Sequence, residues 1–150
     1  MIVHFPIALL LISVALELLT LVPALRDHLR TAAFITLLLG TAGAAVAVIS
    51  GPDENARGVT TLMHAHENFA HLTLILFGAL SVWRLWSLWR TKSLAVKFLP
   101  VYLALAVIGV GLLSYTGHLG GRMVYEDAVG VSRGGQLVAP PVQGHRPPRK

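Results

Sequence analysis

The chain has 150 residues, of which 55% are hydrophobic and only 13% charged, and its mean hydropathy of +0.69 excludes an ordinary soluble domain. It has no cysteine, which removes disulfides, thiolate metal sites, iron–sulfur clusters and haem attached through Cys. The formal net charge of +5 does not point to nucleic acid, because most of the basic residues flank apolar runs, where positive charge carries topology.

Four runs are apolar enough, at about 1.5 Å per residue across about 30 Å of hydrocarbon, to cross a bilayer: 5–22, 32–49, 69–89 and 98–115. The first reads as a span rather than a cleaved signal, having no basic segment before it and no small-residue cleavage site after it. Within it, Glu17 lies near one membrane boundary, close enough to pair with Arg84 or Arg26. "VPALRDHLRT" and "RTKSLAVKF" are tight connections, and "GPDENARGVTTLM" is a longer loop begun by Gly51 and Pro52. Small residues crowd "GTAGAAVAV" in the second span and "IGVG" in the fourth. They suit either close helix packing or room for a flat cofactor.

After Gly117 the chain turns polar. "GGRMVYEDAVGVSRGGQLV" reads as short extended pieces between glycines, and "APPVQGHRPPRK" as a Pro-rich tail. The expected fold is all-α: a membrane four-helix up-down bundle over residues 1–116, followed over 117–150 by a short irregular or β-hairpin-like extracytoplasmic tail. Arg26, Arg30, Arg84, Arg90, Lys92 and Lys97 gather on one side, whereas only Arg57 and Arg122 lie close to a span on the other. The positive-inside bias therefore places both termini on the periplasmic side of a bacterial inner membrane, with Trp83, Trp86 and Trp89 as an interfacial anchor at the cytoplasmic side.

The chain has seven histidines. His28 and His145 read as solvated residues of a loop and the tail; His4, His64, His66, His71 and His118 share the outer side. Aligning the spans at their cytoplasmic boundary brings His4, His66 and His118 close to one plane, with His71 about a turn deeper and His64 slightly above. His64 and His71, a heptad apart, share a helix face from which His66 is turned away. Single imidazoles at a membrane interface are ordinary boundary residues, but a group drawn from three spans suggests a shared task.

Three tasks suit them. The first is axial ligation of one b-type haem by His4 with His66 or His71, His118 ranking next, and with the Arg122 guanidinium on a propionate. The second is a Cu or Zn site built from His4, His64, His66 and His71. The third is a proton relay or quinone site using His71 and Glu67. The haem reading makes the protein an electron-transfer component, non-enzymatic in itself, surrounded by lipid and partnered by a larger membrane complex or a periplasmic cytochrome c, with no role for nucleic acid. Its competitor is an accessory subunit with purely interfacial histidines.

"HFPIAL" at 4–9 and "GGRMVY" at 120–125, followed by Gly130 and Val131, carry a resemblance to the membrane proteins grouped as domain of unknown function 2231. The resemblance covers the chain to about Val131 and implies a four-span module often found beside or fused to cytochrome c domains. It also singles out His4, His66 or His64, Asn68 and the Gly120 to Tyr125 motif. Family members often carry a further His-Pro before the first span, which this sequence does not show, and a His-Gly where it reads Asp127 and Ala128.

Overall fold

The computed structural model describes residues 4–50, 61–89, 98–125, 132–133 and 136–137. The remaining stretches, which contain the loop after Gly51, the basic residues Arg90, Lys92 and Lys97, and the Pro-rich tail with His145, lie outside the described residues. Four helices carry the fold: α1 (His4–Leu19), α2 (Pro23–Ile49), α3 (Thr61–Trp89) and α4 (Leu99–Tyr125). A two-residue antiparallel ladder pairs Ser132 with Leu137 and Arg133 with Gln136.

Each helix follows from an apolar run that must satisfy its own backbone polar groups once water is absent. Hydroxyls inside the runs do the same: Ser13, Thr73 and Thr116 donate to the carbonyls of Leu10, Phe69 and Leu112 at 2.8, 2.7 and 2.8 Å. α2, α3 and α4 are long and apolar enough to cross a membrane; α1, apolar but 16 residues long, is shorter. Large apolar side chains point outward along the bundle, among them Leu39, Val46, Ile75, Val82, Val107 and Ile108. That outer surface suits hydrocarbon.

Two helix ends differ from the sequence expectation. α2 begins at Pro23 and not at residue 32, so Arg26, His28 and Arg30 form helical turns where a loop was expected. Pro23 stands at the start of the helix, where its fixed φ and missing N–H cost nothing, and the Leu25 amide donates to the Val22 carbonyl at 3.0 Å. α4 continues through Gly117, Gly120 and Gly121 to Tyr125, where irregular chain was expected. Glycine lowers helix propensity, but a helix that leaves its backbone no competing water partner keeps it.

The helices form a ring. α1 packs most closely on α2 and α3 on α4, the two hairpins meet through α2–α3 and α1–α4, and among the described residues the diagonal pairs do not approach. Glycines set the closeness within each hairpin. A Cβ on Gly40 would meet the Leu10 side chain at 2.9 Å, one on Gly43 would meet Pro6 at 3.1 Å, and one on Gly109 would meet Phe77 at 3.0 Å. The small residues Gly40, Gly43 and Gly109 of the second and fourth spans are thus used for helix packing. Leu10, Phe77 and Leu80, fully buried, lie at the centre with Leu37, Tyr102 and Ala106.

Candidate functional site

The inward face of α3 is marked by its buried residues Thr73, Phe77, Leu80, Ser81 and Arg84. His66 lies a heptad before Thr73 and therefore on that face. It points at α4: its Nδ1 is 3.0 Å from the backbone carbonyl oxygen of Thr116. A carbonyl only accepts, so Nδ1 carries the hydrogen and donates. In the neutral ring the lone pair then belongs to Nε2. Gly120 makes the approach possible, since a Cβ there would stand 3.2 Å from Cε1 and 3.5 Å from Nδ1 of the ring.

The heptad spacing separated these faces, and the structure shows which of them is inward. His64 and His71 do share a face, but it is an exposed one, and His66 is the inward imidazole. The reason is the charge further along the helix: Arg84 has to face the interior, and His66 is about five turns away on the same line. His71 donates from Nδ1 to the carbonyl of Glu67 in its own helix at 3.0 Å, which likewise leaves Nε2 with the lone pair. His4 is exposed at the start of α1, and His118 is exposed beside Tyr115, with ring centroids 6.4 Å apart. Tyr115 in turn meets Phe69 edge-on at 4.7 Å. Arg122 is half-buried in the last turn of α4.

The α3–α4 register is regular, with Arg84 opposite Tyr102, Phe77 opposite Gly109 and His66 opposite Gly120. On that register His118 stands close to the level of Asn68, a turn or less from His66. Among the described residues, no three of His, Asp and Glu gather where they could hold one metal ion. The structure therefore does not bring His4, His64, His66 and His71 together as a four-histidine site.

Glu17, which the sequence offered to Arg84 or Arg26, pairs with Arg84. Nη2 lies 3.1 Å from Oε1 and 3.3 Å from Oε2, and both side chains are buried. Arg26 donates instead from Nε to the Thr20 carbonyl at 3.2 Å. Sequence reasoning missed Thr116 and Tyr102, and it marked Gly120 only as part of a motif, without its contact to His66. Thr116 and Gly120 are one turn apart on α4, a spacing that marks one face of a helix, but nothing in the sequence tells which face meets α3.

Gly120 gives a direct check on the His66 seat. Gly120→Val should push the imidazole off Thr116 and destabilise the α3–α4 contact by about 1–3 kcal/mol, the usual penalty of overpacking. Gly121→Val, where a Cβ meets nothing within 4 Å, should be silent in the same unfolding assay.

The fold and its polar interior define a membrane-embedded all-α bundle that carries an oriented imidazole at one end and a buried ion pair at the other. The chain belongs to the family described as predicted membrane protein DUF2231, whose model matches residues 1–133. No curated protein and no solved structure matches it.

Proposed function

We propose that this membrane protein holds one b-type haem with His66 as an axial ligand and serves electron transfer as a subunit of a respiratory or photosynthetic complex. The observation that carries this reading is the Nδ1–H bond to the Thr116 carbonyl, which orients the imidazole and leaves the Nε2 lone pair for iron. The donor chemistry fits. The packing limits where a ring can lie, because Gly40, Gly43 and Gly109 are filled. The faces around Gly117 and Gly121, where a Cβ would meet nothing within 4 Å, keep room.

His66 and His71 belong to one helix and cannot clamp one ring from both sides, so the second ligand comes from another helix. His4 ranks first, then His118; Arg122, near the same end, is the guanidinium for a propionate. Bound haem supplies a one-electron couple at that end of the bundle. In this reading the end faces the periplasm, both termini lie there, the membrane is the bacterial inner membrane, and the electron partner is a periplasmic cytochrome c.

The test is an oxidised and dithionite-reduced absorption spectrum of the detergent-purified chain, with parallel elemental analysis. Sharp reduced α and Soret bands with about one iron per chain, lost in His66→Ala and retained in His64→Ala, are the expected result. A featureless spectrum after expression with ample haem sinks the reading, and stoichiometric Cu or Zn replaces it with a metal site.

A second reading has its own observation. Two contacts of His66 are also packing contacts: ring against Gly120 and Nδ1–H on the Thr116 carbonyl. An accessory subunit would use it as interhelical glue, as Ser81 and Thr41 are used at 3.0 Å elsewhere in the bundle. That subunit keeps its place in a complex when His4 and His66 are changed to Ala, and gives no haem bands.

A further inference from the structure

At the end of the bundle that carries the Glu17–Arg84 pair, α2 brings two further guanidiniums. Arg26 and Arg30 stand one heptad before Ala33 and Leu37, which are buried on the inward face of α2. Both arginines therefore lie on the inward line, yet both are exposed, because α2 begins beyond the packed core. Arg26 leans over the end of α1, where its Nε donates to the Thr20 carbonyl at 3.2 Å, and the charge of Arg30 reaches Glu17. Among the described residues neither Nη atom of Arg26 has a hydrogen-bond acceptor, and Arg30 forms no hydrogen bond or ion pair.

The charges at this end are uneven. Arg26, Arg30 and Arg84 meet two carboxylates, Glu17 and Asp27, and Glu17 is already held by Arg84. Asp27 is exposed and is not ion-paired with Arg30. His28, a heptad before the exposed Ile35, lies on the outward side. The sequence joining α3 to α4 adds Arg90, Lys92 and Lys97 and no acid. α2 also opens with no acid in its first turn and no side-chain cap, so two cations stand near the positive end of a helix dipole, where an anion is favoured and a cation is not. Negative charge carried on hydrogen-bond acceptors would satisfy both the helix start and the guanidiniums.

The setting selects the carrier of that charge. Leu21, Val22 and Leu25, in the turn between α1 and α2 and beside the arginines, are large, apolar and exposed. A dissolved anion gains nothing from such a collar, whereas a phospholipid brings its phosphate level with the guanidiniums and its acyl chains against the apolar side chains. Arginine forks match phosphate oxygens bidentately, and these two start about 6 Å apart along the helix, close enough to share one phosphate. A zwitterionic head group would add its own cation to an end already rich in them, and a net anionic one does not.

We propose that Arg26 and Arg30 bind the phosphodiester of an anionic glycerophospholipid at the end of the bundle that carries the Glu17–Arg84 pair. The site does not depend on the haem reading, since it uses none of the histidines.

Native mass spectrometry of the full detergent-purified chain, titrated with phosphatidylglycerol, tests this. One lipid should bind saturably, about tenfold more tightly than phosphatidylcholine, and Arg26→Lys with Arg30→Lys, which keeps every charge and removes the forks, should weaken it about tenfold. Equal retention of the two lipids, or an affinity that the lysine pair leaves unchanged, reduces the arginines to ordinary surface charge and overturns the site. Displacement of the lipid by millimolar inorganic phosphate overturns the choice of carrier. A measurement on the unaltered chain guards against a variant that misfolds. Phosphatidylglycerol should raise its thermal unfolding midpoint in detergent saturably, and an equal rise with phosphatidylcholine, or none, also overturns the proposal.

Discussion

Arg84→Met should cost the bundle about 3–5 kcal/mol, because it leaves the Glu17 carboxylate buried without its cation. The pair joins α1 to α3, which lie diagonally across the ring and have no close backbone approach among the described residues. Its loss therefore removes a polar tie across the diagonal of the ring. Glu17→Leu combined with Arg84→Met should restore stability to within about 1 kcal/mol of the parent, or exceed it, since matched apolar side chains replace a buried pair at little cost. Reversible unfolding in mixed micelles, followed by tryptophan fluorescence, completes the double-mutant cycle. A double variant as unstable as Arg84→Met alone would mean that the guanidinium matters through Tyr102 and not through Glu17.

Phe77→Ala should be the most damaging apolar truncation. Phe77 is fully buried, and its ring edge lies where a Cβ on Gly109 would come within 3.0 Å, so the helices on either side have no slack with which to collapse. In a soluble core such a change costs about 3–5 kcal/mol. Here the expected loss is roughly 2–3 kcal/mol, since lipid is as apolar as the core and only lost packing remains. The same unfolding assay measures it. Ile75→Ala, on the outward face at 68% exposure, is the matched control and should fall within about 0.5 kcal/mol of the parent.

The helices were legible because a bilayer-length apolar run leaves the backbone one solution. Their ends were less so. Pro23 reads as part of a tight connection and is the first residue of α2; Gly117 reads as a stop and is passed by α4. In both places the local signal, proline or glycine, is compatible with a helix, and tertiary packing decided. The Glu17–Arg84 pair was among the two pairings that depth allowed, and Arg26 turned elsewhere.

The histidines show the limit more sharply. Depth counting brought His66 and His118 to one end of the bundle, but the rotation of α3 about its own axis was read from the heptad between His64 and His71. Arg84 held the better clue, since a charge in a span must face inward, and stepping back from it meets Phe77, Thr73 and His66 in turn. What no sequence signal supplied is the partner. The Thr116 carbonyl is backbone, and the vacancy at Gly120 acquires meaning only when α4 is placed against α3.

The span between the two members of the ion pair bears on how the protein is made. Glu17 belongs to the first hairpin and Arg84 to the second, 67 residues later. During synthesis the ribosome delivers α1 and α2 well before Arg84 exists. That first hairpin has Leu10 seated on Gly40 and Pro6 on Gly43, close contacts that need no residue of α3 or α4. Until α3 arrives, the Glu17 carboxylate lacks the Arg84 guanidinium, so the buried pair is a contact that only the assembled bundle can close.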